Sequence, residues 1–421
     1  MNDRERILAV LNYQRYDRLP VVHFGFLGDT LNKWEREGHI DLAQLPPIGD
    51  ASVGEDELSR LLGFDGNYHR VFGPNSRLDP AFERRVLENL PGGHRKVLTG
   101  TGAVVIESDD NQSIAPHVDH ILKTRRDWER EFLPRLQYAP QRVHGAGVNA
   151  GGRMCSFAEG GRDYLLQPER PTHILLHAGS LYGVLRDYLG IENLCYLLAD
   201  DAGLVDEMIR VNAELCYQCT EAALASGIRF DLGHFWEDIA FKNGPLVNPA
   251  VLAAKVGPHY RRIVELLNHH GVDLVSLDCD GDIDRLVPVW LEAGVNVMFP
   301  IEVGTWQASF GPWRERYGRQ LRGVGGMDKR VFSRDFAAVD AEVERLKGLV
   351  DLGGYLPCPA RTTASPATRC GRTSNTIASV CGKPLGAEGR GGRLQARRGC
   401  RFAAGAPRFR VAGEPFFSGE L

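Results

Sequence analysis

The chain has no apolar run near the roughly 20 residues that a bilayer-crossing helix needs, so no membrane span is expected. Its opening, MNDRERILAVLNYQRYDRLP, sets charges on both sides of a short apolar stretch and shows no small-residue cleavage site. No secretory signal is expected, and the cytoplasm is the expected location. A basic excess is missing too. Lys and Arg number 50 against 54 Asp and Glu, a net charge of −4. Nucleic-acid binders carry the opposite sign, so no such partner is expected. Cysteine is scarce, odd in number and irregularly spaced, nine in 421 residues. That argues against a disulfide framework and for a reducing compartment. Cys216 and Cys219 form a CxxC inside a helical pattern with no second pair nearby, which reads as packing rather than metal binding. Also lacking are G-x-G-x-x-G after a strand, a Walker A sequence, G-x-S-x-G and H-E-x-x-H. Their absence lowers the nucleotide-binding, serine-hydrolase and zincin classes.

What is present is a globular composition, 43% hydrophobic and 25% charged. Short β-rich runs lie at 19–26, 173–178, 228–235, 272–278, 295–301, 321–326 and 354–358. Helical periodicity falls between them, at 181–198, 203–226, 249–270, 283–293, 307–317 and 334–352. Glycines such as Gly227, Gly271, Gly294, Gly318 and Gly353 stop the helices before the next strand. Nearly continuous apolar runs are what buried parallel strands require. The pattern predicts an α/β fold, a distorted (β/α)8 TIM-type barrel with one strand unrecognised. Residues 27–170 form a long insertion after the first strand. It holds helices over 28–38 and 125–136, a hairpin over 95–107, and a loop over 139–170. The barrel domain spans 1–360, and 361–421 form an atypical tail.

Polar residues gather where strands end, at His177, Asp231, His234, Asp278, Asp280, Glu302 and Asp328, and a barrel builds its site on that rim. The densest group is DCDGDID, 278–284, between a strand and a helix. Asp282 and Asp284 read as helix caps. Asp278 and Asp280, at i and i+2 on a strand end, face the same way and suit a divalent cation or a shared proton. Both are candidate catalytic residues, with Glu302 and His177. His234, Glu237, Asp238, Tyr182 and Asp328 are candidates for holding a small-molecule substrate.

Five segments taken in order, RERILAVLNYQRYDRLPV, AGSLYGVLRDYLGIENLCYLLADDAGLVDEMI, WEDIAFKNGPLVNPAV, DCDGDIDRLVPVWLEAGVNVMFPIEV and LRGVGGMDKRVF, resemble the uroporphyrinogen decarboxylase superfamily. The resemblance covers 4–26 and 173–358 well and 27–172 weakly. It implies a barrel whose cleft opens at the strand C-termini. It also implies one of two reactions: cofactor-free decarboxylation of a carboxylated, tetrapyrrole-like substrate, or methyl transfer linked to a thiol or a corrinoid protein. An inactive barrel serving as a binding module is a third reading, and a homodimer is in keeping with the family. Decarboxylases carry an M-R-Q-A-G-R segment after the first strand, where arginines hold the many carboxylates. Here that position reads HFGFLGDTLNKW, with no Arg before Arg36. The methyltransferases carry H-x-C at a strand end and a distant second Cys for zinc. Here H-x-C falls on Asp278 and Asp280, and oxygen donors suit harder cations.

The tail differs from the body. Residues 361–421 hold eleven Lys or Arg and three Glu, a net of +8, whereas 1–360 hold 39 basic and 51 acidic residues, a net of −12. The tail has no Asp or His and no period, and reads as disordered or poorly packed. The superfamily continues after G-G-Y-[IL]-P with P-D-H-R-I and a W-E-N-V-Q-Y-Y-like helix. Shifted by one base from the third position of codon 361, permitted codons spell DHRIARDAVWENVQYYRERV. We therefore expect a frameshift just before Arg361. Resequencing the coding DNA should reveal the displaced base; an intact frame, with relatives sharing this tail, would refute it.

Overall fold

The computed structural model describes residues 1–108, 115–304 and 306–359. The expectations for the 361–421 tail lie outside the described residues.

The parallel framework consists of β1 (Val22–His23), β2 (Gly66–Asn67), β3 (Val71–Phe72), β4 (Leu175–Gly179), β5 (Leu232–Trp236), β6 (Val275–Asp278), β7 (Val297–Ile301), β8 (Arg322–Met327) and β9 (Tyr355–Pro359). Strands β3 to β9 form one seven-stranded sheet in that order, every neighbour parallel. Strands β1 and β2 form a separate parallel pair, Val22 opposite Gly66 and His23 opposite Asn67. Residues 66–72 join this pair to the sheet, and β1 also lies against β9. All residues of β5, β6, β7 and β9 are buried, as strands covered on both faces must be. Because the strands are parallel, all their C-terminal ends face the same way.

The helices between strands pack on this sheet through regularly spaced apolar residues. The longest, Ala202–Ala225, starts where the Asp201 side chain accepts from Leu204 N at 3.0 Å. It buries Leu204, Val205, Met208, Ile209, Leu215, Cys216 and Cys219. Both thiols are free and buried, and burial pushes Cys219 up to about 11, so the CxxC serves packing.

Several expectations change in detail. The helix expected over 181–198 is two, Gly183–Leu189 and Ile191–Asp200, because Gly190 takes φ 75° between them. The one expected over 249–270 divides into Pro249–Lys255 and Gly257–His269. The one expected over 125–136 is a broken run, Arg125–Asp127, a π-turn Trp128–Phe132 and a 3-10 turn Leu133–Leu136, where Pro134 has no N–H to donate. The hairpin expected over 95–107 is the centre of a four-stranded antiparallel sheet, Arg85–Asn89, His94–Leu98, Ala103–Ser108 and His117–His120. The loop expected over 139–170 holds a small hairpin, Gly147–Asn149 with Met154–Ser156, and short helical turns. Asp231 corrects the rim list. It precedes β5, at the end opposite the rim, and accepts from Arg4 Nε at 2.8 Å and Ile174 N at 2.9 Å.

One contact fixes how closely the Ala202–Ala225 helix meets β4. Gly179 has φ 104°, and a Cβ there would lie 2.1 Å from Cys216 Sγ. Gly179→Ala should therefore destabilise the protein by about 3 kcal/mol, read from denaturant midpoints. A midpoint equal to that of the natural chain would contradict this packing.

Candidate functional site

The register of the sheet sets the site. His177 on β4 stands opposite His234 on β5, and His234 opposite Ser276 on β6. Two residues further toward the C-terminal ends, Trp236 stands opposite Asp278. Ring centroids of His177 and His234 are 6.4 Å apart. The insertion closes one side. Tyr68 reaches Ser276 Oγ at 3.4 Å, and His69 Nε2 lies 3.0 Å from His234 Nε2. Among the described residues, His69, His234 and Asp278 bring one donor atom each within 4.8 Å of one another. Phe24 and Phe299 pack edge-on at 4.5 Å, and Phe24 meets the His69 ring at 5.4 Å, which keeps this corner apolar around its polar tips.

The other candidates have definite places. Glu237 follows β5, is fully buried, and accepts from the backbone N–H groups of Leu181 at 2.8 Å, Tyr182 at 3.0 Å and Gly183 at 2.6 Å. Tyr260 donates to the same carboxylate. Glu237 thus fastens the start of the Gly183–Leu189 helix to the strand end, a positioning task, although burial pushes its carboxyl up. Tyr182 is buried in that turn. Asp238 adopts φ 46° and accepts from Asp280 N at 2.9 Å, and burial pushes its carboxyl up as well. Gly281 N donates to Glu302 Oε2 at 2.8 Å, so Glu302 holds the 278–284 loop. Asp280 is exposed on that loop, apart from the His69, His234 and Asp278 group. Asp284 accepts from Trp313 Nε1 at 2.7 Å, and Asp282 from Asp284 N at 3.1 Å. Asp328 caps the turn Lys329–Ser333 and receives the Arg330 guanidinium at 2.7 Å, which holds its carboxyl below the usual range.

Residues that sequence reasoning missed come from the insertion and from a helix. His69 is one. Arg77 and Arg186 lie over the Trp236 ring at 5.2 and 5.6 Å, and both pair with Asp187, at 3.5 and 3.2 Å. None of the three stood out in the sequence, where His69 and Arg70 lie inside the short stretch GNYHRVF without a strand or helix period.

Burial dominates the electrostatics. It pushes His177 down to about 3 and His23 to about 3, and it holds His173 at about 4 despite a hydrogen bond to Tyr68 O at 2.8 Å. Burial, reinforced by His69 and His177, also holds His234 well below the usual histidine range. These rings are neutral near pH 7. Such weak bases suit ligation or hydrogen bonding better than proton abstraction. Cys279 and Cys358 are buried, with thiols pushed well up by burial. A soft His/Cys/Cys zinc set at this rim therefore does not fit, because Asp278 and Asp280 occupy the H-x-C positions and Cys358 is outside the group that converges.

No protein-family model matches the chain, and no curated protein is similar to it in sequence. A solved structure is similar in fold, a methyltransferase from Methanosarcina mazei, at 16% identity and a TM-score of 0.52, over 90% of this chain and 98% of that one. The fold is thus α/β, with a large parallel sheet and packed helices. No helix among the described residues is long and apolar enough to cross a membrane.

The depressed histidines make stability pH-dependent. Each contributes in full above about pH 6.5, the unfolded value, and loses its contribution as pH falls toward the folded one. There the unfolded chain binds protons that the folded chain excludes, costing up to about 1.4 kcal/mol per pH unit per histidine. The melting temperature should fall steeply between about pH 6.5 and 5, and His173→Gln should flatten the slope. A flat or rising profile would contradict neutral burial.

Proposed function

We propose that the chain is an enzyme of the uroporphyrinogen decarboxylase superfamily that transfers a methyl group to a thiol. On this reading the seven-stranded sheet and the β1–β2 pair close as a distorted (β/α)8 barrel, with residues 66–72 as the eighth, broken strand. The mouth at the strand C-termini takes a small methylated donor or a corrinoid carrier. The donor's bond to carbon breaks, a sulfur–carbon bond forms, and the thiol proton leaves to solvent.

The observation that carries the reading is the corner where His69 of the insertion, His234 of β5 and Asp278 at the end of β6 converge, with the His234 ring buried and neutral. The methyltransferase likeness in fold supports it at low identity. The decarboxylase reading has one specific support, the Arg77 and Arg186 pair over Trp236. Asp187 already engages both guanidiniums, which leaves little positive charge for a substrate with many carboxylates.

The test offers the full chain methylcobalamin with a simple alkanethiol, and uroporphyrinogen III in a parallel assay. Methylated thiol should appear, and Asp278→Asn should slow it by about 100-fold or more. Release of CO2 from uroporphyrinogen without methyl transfer would overturn the proposal.

A further inference from the structure

We propose that His69, His234 and Asp278 bind one divalent first-row transition-metal ion, of the zinc type, through two imidazole nitrogens and one carboxylate oxygen. This site differs from the soft one the superfamily resemblance implies. It takes no sulfur, and it uses a histidine from the insertion, His69, in place of a strand-end cysteine.

Geometry is the first argument. Nitrogen donors about 2.1 Å from an ion, at about 90–110° to each other, stand about 3.0–3.4 Å apart. The two Nε2 atoms are 3.0 Å apart. With all three donor atoms within 4.8 Å of one another, one ion can stand between them. An imidazole–imidazole hydrogen bond also spans 3.0 Å. A cation differs from that bond in drawing on the Asp278 oxygen as well as both ring nitrogens, all three of which converge here.

Support is the second argument. His234 lies inside β5, and Asp278 ends β6, its direct neighbour, so backbone hydrogen bonding fixes their separation. His69 is placed from the third side, where its own N–H donates to Asn67 Oδ1 at 2.7 Å. Asn67 Nδ2 in turn donates to Glu55 Oε2 at 3.0 Å. His234 and Asp278 are buried, and His69 is half-exposed, so the corner is dry behind and reachable in front. A buried carboxylate is stabilised by a paired cation.

Donor chemistry is the third argument. Two imidazoles select zinc, iron, cobalt or nickel over magnesium and calcium, which take oxygen. Three protein ligands leave at least one position for solvent or a substrate atom.

The site stands on ligand geometry, so its failure and that of the methyl-transfer reading are separable: zinc can bind where no methyl moves. The experiment strips the full chain with a chelator and titrates it with Zn2+ by calorimetry, beside Mg2+. One equivalent of Zn2+ should bind. His69→Ala and His234→Ala should each weaken binding by about tenfold or more. His117→Ala, which breaks the other close histidine pair at 3.2 Å, should leave it unchanged. Should His234→Ala fail to fold, His69→Ala decides, because its side chain is half-exposed; a melting curve beside each titration reports folding. No Zn2+ uptake, uptake unchanged in folded His69→Ala, or Mg2+ bound as well as Zn2+ would each overturn the site.

Discussion

Taking an imidazolium out of water costs free energy that little in this interior returns. This constraint governs His23, His173, His177 and His234, in each of which desolvation is the largest influence and lowers proton affinity. A protein that buries neutral imidazoles beside Asp278 has given up general-base chemistry at those positions. It has kept lone pairs, held on strands that cannot shift independently. The parallel sheet does the rest, because strands running one way deliver their last residues to one rim. Glu237 shows how much of that rim is scaffolding. Its three backbone hydrogen bonds and Tyr260 fix the helix beside the site and leave nothing of the carboxylate for a ligand.

The strands with continuous apolar runs were legible. The runs at 173–178, 228–235, 272–278, 295–301, 321–326 and 354–358 each overlap a strand, because burial on both faces leaves a mark in composition. The 66–72 stretch, GNYHRVF, left none. Its strands are two residues each, the first a glycine and an asparagine, and Tyr68, His69 and Arg70 separate it from the second. Local pattern cannot reveal a segment whose place is set by neighbours far along the chain. His69 lies in that stretch, so the most informative contact at the rim was hidden with it.

Among the acidic residues, sequence position gave the neighbourhood but not the task. Asp278 and Asp280 follow the same strand two residues apart. One is buried beside two histidines, and the other is exposed on the loop that Glu302 and Asp238 hold in place. Asp231 looked like a rim residue because it sits near an apolar run, yet it comes just before the strand and pairs with Arg4 at the far end. The direction of a strand, not its proximity to charge, decides which end carries chemistry.

Zinc-edge X-ray absorption of the zinc-loaded full chain reads the nitrogen-and-oxygen ligand set of His69, His234 and Asp278 without recourse to activity. Scattering from nitrogen and oxygen alone is expected, at about 2.0–2.1 Å, with the outer-shell pattern of two imidazoles. A sulfur neighbour near about 2.3 Å would contradict it, because it would put a cysteine where His69, His234 and Asp278 converge.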